Sequence, residues 1–359
     1  MEAFVKPEVG IQTNEWLPGR AQPILGVSKL EAVMFANPRL PGIGALLVAA
    51  SAWGGMFIVS KGVLEHVDPV WFTLIRYLIS GVLFAVLLLP RGAAPWRNLR
   101  ANATPLALRG SVGFGVFSVA LLTGLAHTQP AHGAVIMATM PITTQFVRWA
   151  LDGVKPARTT LLTSVLALAG VVTVSGVFTH QTAGAASTLP GDALILASTL
   201  AWVWYTRGAA QFAQLEIVEY TALTVLAALP VLVLGAIFAT AFDFAEVPSA
   251  QDLQVSWHAL LFVGVVASAV AIVAFNFGVR RLGAVTGTAF LNFVPVSALL
   301  MATALGKMPT ANELVGAAMV IGALLVHTLA SLRSAKISIA PMKPPVAGGF
   351  QRECTQTSS

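Results

Sequence analysis

Charge is what this sequence has least of. Only 10% of its 359 residues are Asp, Glu, Lys or Arg, against 56% hydrophobic residues, and the mean hydropathy is +0.79. Soluble globular domains carry about a quarter charged residues, so an ordinary water-facing surface is excluded and lipid is the implied solvent. Cysteine is nearly absent: Cys354 stands alone in a polar stretch, which leaves no disulfide framework and no thiolate metal cluster. Acidic residues are missing from the middle of every apolar run; Asp152, Asp192, Glu219, Asp243 and Glu313 all fall at predicted segment ends. A mid-membrane carboxylate relay of the kind many pumps use is therefore not expected. The formal charge is +6, but the basic residues are scattered between apolar runs rather than gathered on one face, so nucleic acid is not an expected partner.

Long apolar runs are what the sequence does have. Ten windows of about 17 to 23 residues, each enough to cross about 30 Å of hydrocarbon, can be marked. They run from Gly42 to Ser60, Val70 to Leu89, Leu106 to Ala126, His132 to Leu151 and Thr160 to Phe178, then from Leu194 to Ala210, Tyr220 to Phe242, Trp257 to Val279, Ala284 to Leu305 and Leu314 to Leu332. The expected fold class is thus an all-α integral membrane protein of ten transmembrane helices. The sixth window is the least apolar in pattern, because WVWYTR mixes polar and aromatic groups. Counting the termini and alternate loops as one side collects about 18 of the 21 lysines and arginines there. Lys61 and Lys307 remain opposite, and Arg76 lies inside the second window. That asymmetry places both termini in the cytoplasm, and the expected location is the cell (inner) membrane. Residues 1–41 are polar and rich in Pro and Gly, and with the tail, 333–359, they are expected to be disordered. No short apolar core behind a basic start precedes Gly42, so no cleavable signal peptide is expected, and Met34 offers a second start.

The chain resembles itself. HGAVIMATMPI, from His132, aligns with TGTAFLNFVPV, from Thr286, matching Gly133 with Gly287 and Pro141 with Pro295. Upstream, Gly110 falls on Gly264, Ala120 on Ala274 and Gly124 on Gly278. Slightly different offsets pair Ala52-Trp53 with Ala201-Trp202 and Gly170 with Gly322. Five helices therefore occur twice, over 42–178 and 190–332. Because five is odd, the second copy must cross in the opposite sense, giving the inverted repeat on which secondary transporters are built.

The ten-window plan, ASAWGGMFIVSKG in the first helix, DPVWFTLIRYLISG in the second, the mid-helix Pro141 and Pro295, and NELVGAAMVIGALLV in the last resemble the drug/metabolite transporter superfamily in its EamA-type ten-helix branch. The resemblance covers about Leu40 to Leu332. It implies two inverted five-helix halves around a central substrate cavity and, for many members, export of amino acids, other metabolites or drugs.

Polar and aromatic residues inside the windows are the candidate site. Trp53 and Trp202 occupy equivalent points of the two halves, with Tyr205 one turn on from Trp202; they are expected to bind substrate by walling a cavity and stacking on an apolar or aromatic cargo, or else to pack between helices. Pro141 and Pro295 each break a backbone ladder, which lipid tolerates only where protein or a water-lined cavity covers the freed carbonyl. The flanking Thr139, Thr143, Gln145, Thr288 and Asn292 are expected on the inner faces. An interhelical hydrogen bond is the alternative for Asn292 and the preferred reading for Asn276, which lies near the cytoplasmic edge. Arg76 is read as a structural charge, snorkelling outward or held by backbone carbonyls and a carboxylate such as Glu65 or Asp68. His127 and His132 sit at the outer mouth of a hairpin and read as interfacial residues.

No nucleophile–base pair stands within the spans, so no enzyme activity and no catalytic residue is expected. GSVGFG, from Gly110, lies in a membrane helix and serves close helix contact rather than a nucleotide. The functional expectation is a secondary transporter, an exporter of small neutral or zwitterionic metabolites such as amino acids. A channel-like or scaffold membrane protein and a multidrug efflux carrier are the alternatives. Its partners are a small-molecule substrate and the lipid bilayer, with no cofactor and no metal; a homodimer is left open.

Overall fold

A computed structural model describes residues 39–128, 133, 136–175, 189–306 and 308–338, among which there is no strand. Residues 1–38, His132, Lys307 and the tail beyond 338 lie outside the described residues. The long helices are α1 (Leu40–Leu64), α2 (Pro69–Arg91), α3 (Ala103–Ala126), α4 (Met140–Asp152) and α5 (Arg158–Ser175), followed by α6 (Leu189–Gly208), α7 (Ile217–Ala241), α8 (Ala250–Leu282), α9 (Ala284–Ala304) and α10 (Ala311–Ser338). A short helix, Ala94–Ala101, lies between α2 and α3.

Seven of these helices (α1, α2, α3, α7, α8, α9 and α10) are long and apolar enough to cross a membrane. The apolar stretch of α5 is shorter, Arg158–Val174. In α6, Asp192, Thr206 and Arg207 dilute the apolar pattern, yet Ser198, Thr199, Trp202, Tyr205 and Thr206 are buried against other helices. Polar groups that face protein do not meet lipid, so the helix needs less apolar surface.

Local chemistry sets the ends. Asp68 caps α2, accepting the Val70 N–H at 2.8 Å, ahead of Pro69, whose fixed φ suits a first turn. Ser249 and Asp252 form a reciprocal capping box at the start of α8. Gly283, at φ +89°, lets α8 reverse directly into α9.

The two halves pack by exchange. α1 lies on α8 as α6 lies on α3, α3 packs on α7 as α8 packs on α2, and α2 meets α7 as α5 meets α10. The aligned glycines Gly110 and Gly264 are contact points of this pattern: a side chain on Gly110 would meet the Thr224 carbonyl of α7, and one on Gly264 would meet Ile79 of α2. At each glycine the helix widens to π geometry, over Ser111–Val116 directly after Gly110 in α3 and over Val263–Val270, which contains Gly264, in α8. Such turns loosen the carbonyl ladder. In α8 the Gly264 carbonyl accepts from Ser80 Oγ at 2.7 Å and the Ala267 carbonyl from Trp53 Nε1 at 2.9 Å.

α9 is interrupted between Phe290 and Phe293. Leu291, Asn292 and Val294 donate to carbonyls three residues back, at 3.1, 3.2 and 3.0 Å. Pro295 has no N–H for the Leu291 carbonyl and its ring crowds that turn, so the ladder tightens there. In the first half, Thr139 is a turn residue whose N–H reaches the Ile136 carbonyl at 3.0 Å, and Pro141 lies in the first turn of α4.

Candidate functional site

Helices α4 to α10 enclose a cavity of about 860 Å³, within the range of small-molecule sites. Arg148, Asp152, Lys155, Arg207 and Arg280 surround its charged end. The buried wall carries Gln145, Thr206, Tyr220, Asn276, Thr286 and His327. Charge at the mouth is largely engaged. Arg207 pairs with Asp152, and Arg280 donates to the Leu215 carbonyl at 2.6 Å and the Phe212 carbonyl at 3.4 Å. On the wall, Asn276 Nδ2 donates to Tyr205 Oη and Thr221 Oγ1, both at 2.9 Å. His327 has Thr163 Oγ1 at 3.3 Å from Nδ1 and Thr286 Oγ1 at 3.4 Å from Nε2.

Beyond this wall stands a layer of aromatic rings. Climbing α6 from Arg207 at the mouth passes Thr206 on the wall and then Tyr205 and Trp202; climbing α8 passes Arg280, Asn276 and then Phe275. Trp202 meets Trp53 edge to face at 5.5 Å, Phe275 and Tyr205 at 5.3 Å, and Phe117 at 4.8 Å between centroids. Phe114 continues the layer from Tyr205, at 4.8 Å, to Tyr77, at 5.1 Å. The equivalent tryptophans of the two halves thus meet, and five helices (α1, α2, α3, α6 and α8) are joined by rings at separations typical of favourable aromatic pairs.

The sequence-derived candidates fall into three places. Gln145 lines the cavity. Trp53, Trp202 and Tyr205 belong to the aromatic layer. The others lie at the helix breaks: Thr139 Oγ1 donates to the Ile136 carbonyl at 2.6 Å, and Thr288 Oγ1 to the Ala284 carbonyl at 3.0 Å. Asn292 is 1% exposed in a small void it shares with Ser164, Thr163 and His327. Neither of its side-chain polar atoms has a partner among the described residues. Asn276, read from sequence as a packing residue, is on the cavity wall, and His327 and Tyr220 were not singled out at all. His327 was visible as a lone imidazole in the apolar run of α10, but nothing in that run says which face it occupies.

Arg76 departs from its expected setting. It neither snorkels nor meets a carboxylate among the described residues; it is 4% exposed. Its NH2 donates to Tyr77 Oη at 2.9 Å and Ser118 Oγ at 2.7 Å, and its NH1 lies 3.2 Å from Met56 Sδ. The guanidinium carbon stands 4.7 Å from the Tyr77 ring centroid, a cation–π distance. Hydroxyls, a thioether and a ring face take the place of Glu65 or Asp68 because α1 and α3 wrap this point of α2. His127 ends α3 as an exposed residue.

Comparison with known proteins agrees with this architecture. The sequence profile of the EamA-like transporter family matches twice, over residues 40–176 and 189–329. The Bacillus subtilis uncharacterized transporter YrdR is 29% identical over 80% of this chain and 91% of its own length. The Escherichia coli K12 uncharacterized inner membrane transporter YedA is 27% identical, covering 87% and 96%. A probable terminal-alkyne amino-acid exporter of Streptantibioticus cattleyicolor is 26% identical, covering 79% and 93%. One solved crystal structure superposes with a TM-score of 0.65 at 22% identity, over 82% of this chain and 98% of that one, a likeness of fold alone. With a paired-helix repeat, apolar helices of membrane length and a double profile match over most of its length, the chain belongs to the EamA-like transporter family of multi-pass membrane transporters.

Proposed function

We propose that this transporter is a secondary carrier of the cytoplasmic (inner) membrane that exports small neutral or zwitterionic metabolites, amino acids among them, by alternating access. The observation that carries the reading is a cavity open at the end rich in Arg and Lys and stopped at its far side by the aromatic layer. The positive-inside rule makes the charged end cytoplasmic, so the cavity is loaded from inside and the layer is the closed gate. In this reading ten helices span the membrane as two inverted five-helix repeats, over 42–178 and 190–332, with both termini inside. Gln145 touches cargo, Trp53, Trp202 and Tyr205 close the outward path, and the breaks at Pro141 and Pro295, with Thr139, Thr288 and Asn292 beside them, are the hinges. A continuous ring layer favours a carrier over an open channel. The probable amino-acid exporter among the relatives favours the cargo class.

The test is reconstitution of the full chain into liposomes loaded with single radiolabelled L-amino acids. Efflux that saturates with internal concentration and is accelerated by unlabelled amino acid outside is the expected result. Efflux that rises linearly with concentration, or none for the whole set, would sink the reading.

A further inference from the structure

Resting on the carrier reading, we infer that the cavity holds its cargo by an ammonium or amine group, received by the side-chain oxygens of Gln145 and Asn276. An amide offers an NH2 and an oxygen, and which end points where must be settled by its neighbours. Here the neighbours settle it. The single Thr221 hydroxyl proton goes to the Ile217 carbonyl at 2.8 Å, so the atom of Asn276 that lies 2.9 Å from Thr221 Oγ1 must donate and is Nδ2. The Gln145 amide faces the Pro141 carbonyl at 3.4 Å, and a carbonyl can only accept, so that end is Nε2. Both oxygens are therefore left over.

Among the described residues Asn276 Oδ1 and Gln145 Oε1 have no partner, and each exposes less than 1 Å² of surface, so a rotation of each side chain into the cavity is part of receiving the cargo. Both side chains are only 4% exposed, and both residues line the same cavity. A buried acceptor without a donor is costly, and a cargo that brings N–H groups removes that cost at two points. A carboxylate finds the opposite situation on this wall. Arg280 is committed to two backbone carbonyls and Arg207 to Asp152, which leaves the half-buried Arg148 and the exposed Lys155 nearer the mouth. A zwitterionic amino acid then lies with its ammonium group inward and its carboxylate toward the cytoplasm.

Three probes that share one ring separate the two ends: L-phenylalanine, phenethylamine, which lacks the carboxylate, and 3-phenylpropanoate, which lacks the amine. Binding of each radiolabelled probe to the purified full chain in lipid nanodiscs is measured by equilibrium dialysis. Phenylalanine and phenethylamine should bind, phenylalanine more tightly, and Gln145→Met should weaken both by about tenfold or more, the effect of one lost charge-assisted hydrogen bond. Asn276→Leu should act in the same direction. If that variant fails to fold for want of its bonds to Tyr205 and Thr221, Gln145→Met, which gives up only one long bond, still decides. The inference is overturned if 3-phenylpropanoate binds as tightly as phenethylamine, if Gln145→Met binds both amines like the wild type, or if none of the three probes binds. The carrier reading fails separately. Amines bound but never moved across proteoliposomes would end that reading and leave the recognition intact, whereas saturable transport of a cargo without any N–H donor would do the reverse.

Discussion

Replacing Arg76 by Lys and by Met distinguishes a guanidinium held inside the protein from one that merely snorkels. Its two hydrogen bonds to hydroxyls, at 2.9 and 2.7 Å, and its stacking on Tyr77 at 4.7 Å are each formed by a desolvated charge. Bonds to a charged group contribute about 1.5–3 kcal/mol apiece and a buried cation–π contact about 2 kcal/mol. An arginine at a helix centre costs about 3 kcal/mol in the membrane. The balance makes Arg76→Met destabilising by about 2–5 kcal/mol, because the bonds are lost and the burial cost is relieved. Lysine keeps the burial cost and loses the planar fork, since a single ammonium cannot span Tyr77, Ser118 and the ring face together. Arg76→Lys should therefore melt no higher than Arg76→Met, and both below the wild type. The assay is thermal unfolding of the three proteins in the same nanodiscs, followed by the fraction remaining monodisperse. A lysine variant with wild-type stability would refute the buried arrangement, because only a cation that reaches solvent is indifferent to that exchange.

Other changes test other contacts. Trp202→Ala removes a ring that packs on Trp53, Phe117, Tyr205 and Phe275, an aromatic truncation of about 3–5 kcal/mol; amino-acid efflux from proteoliposomes should lose saturation, and unchanged kinetics would place the layer off the path. Gly54→Ala sets a methyl group 2.9 Å from the Val294 carbonyl and the Ala298 nitrogen and should lower the melting temperature. The control is Gly44→Ala, which meets open space; equal melting of the two would contradict the close crossing of α1 and α9. On a Cys354→Ala background, an impermeant maleimide should label Met308→Cys, at a position 87% exposed, in intact cells and Lys155→Cys only after lysis; the opposite pattern would invert the topology. Asn292→Leu removes two buried amide atoms without partners and should stabilise the fold by about 1–3 kcal/mol while slowing transport, and a fall in melting temperature would mean that the amide is bonded through water.

What could be read from the sequence was depth and repetition. Lipid forces each span to satisfy its backbone internally and to cover it with apolar side chains, so α1, α2 and α7 to α10 announce themselves by run length alone, and the repeat aligned Trp53 with Trp202, which the fold brings into contact. Azimuth was not legible. Its place near one end of its window points Asn276 to packing, yet the cavity opens at that end of the helices, and its partners Tyr205 and Thr221 come from helices 71 and 55 residues away. Gly170 aligns with Gly322, but in space it meets the backbone of Gly316, while Gly322 faces open space. Arg76 was given carboxylate partners from nearby sequence, whereas Ser118 comes from 42 residues on. These misses are contacts between helices that run length cannot pair: Asn276 meets Tyr205 and Thr221, and Arg76 meets Ser118, within one half, while Gly170 meets Gly316 across the two. The repeat also makes one asymmetry informative. In the register that pairs Pro141 with Pro295, Gln145 falls on Leu299 and Asn276 on Leu122. The packing is shared by both halves, but the amides are not, so an outward cavity built from the equivalent positions would present leucines where the inward one presents two acceptors. In the proposed carrier, a cargo held by N–H groups on the cytoplasmic side and released to an apolar wall on the other would be bound tightly where it is loaded and weakly where it leaves, which is the order of affinities that export requires.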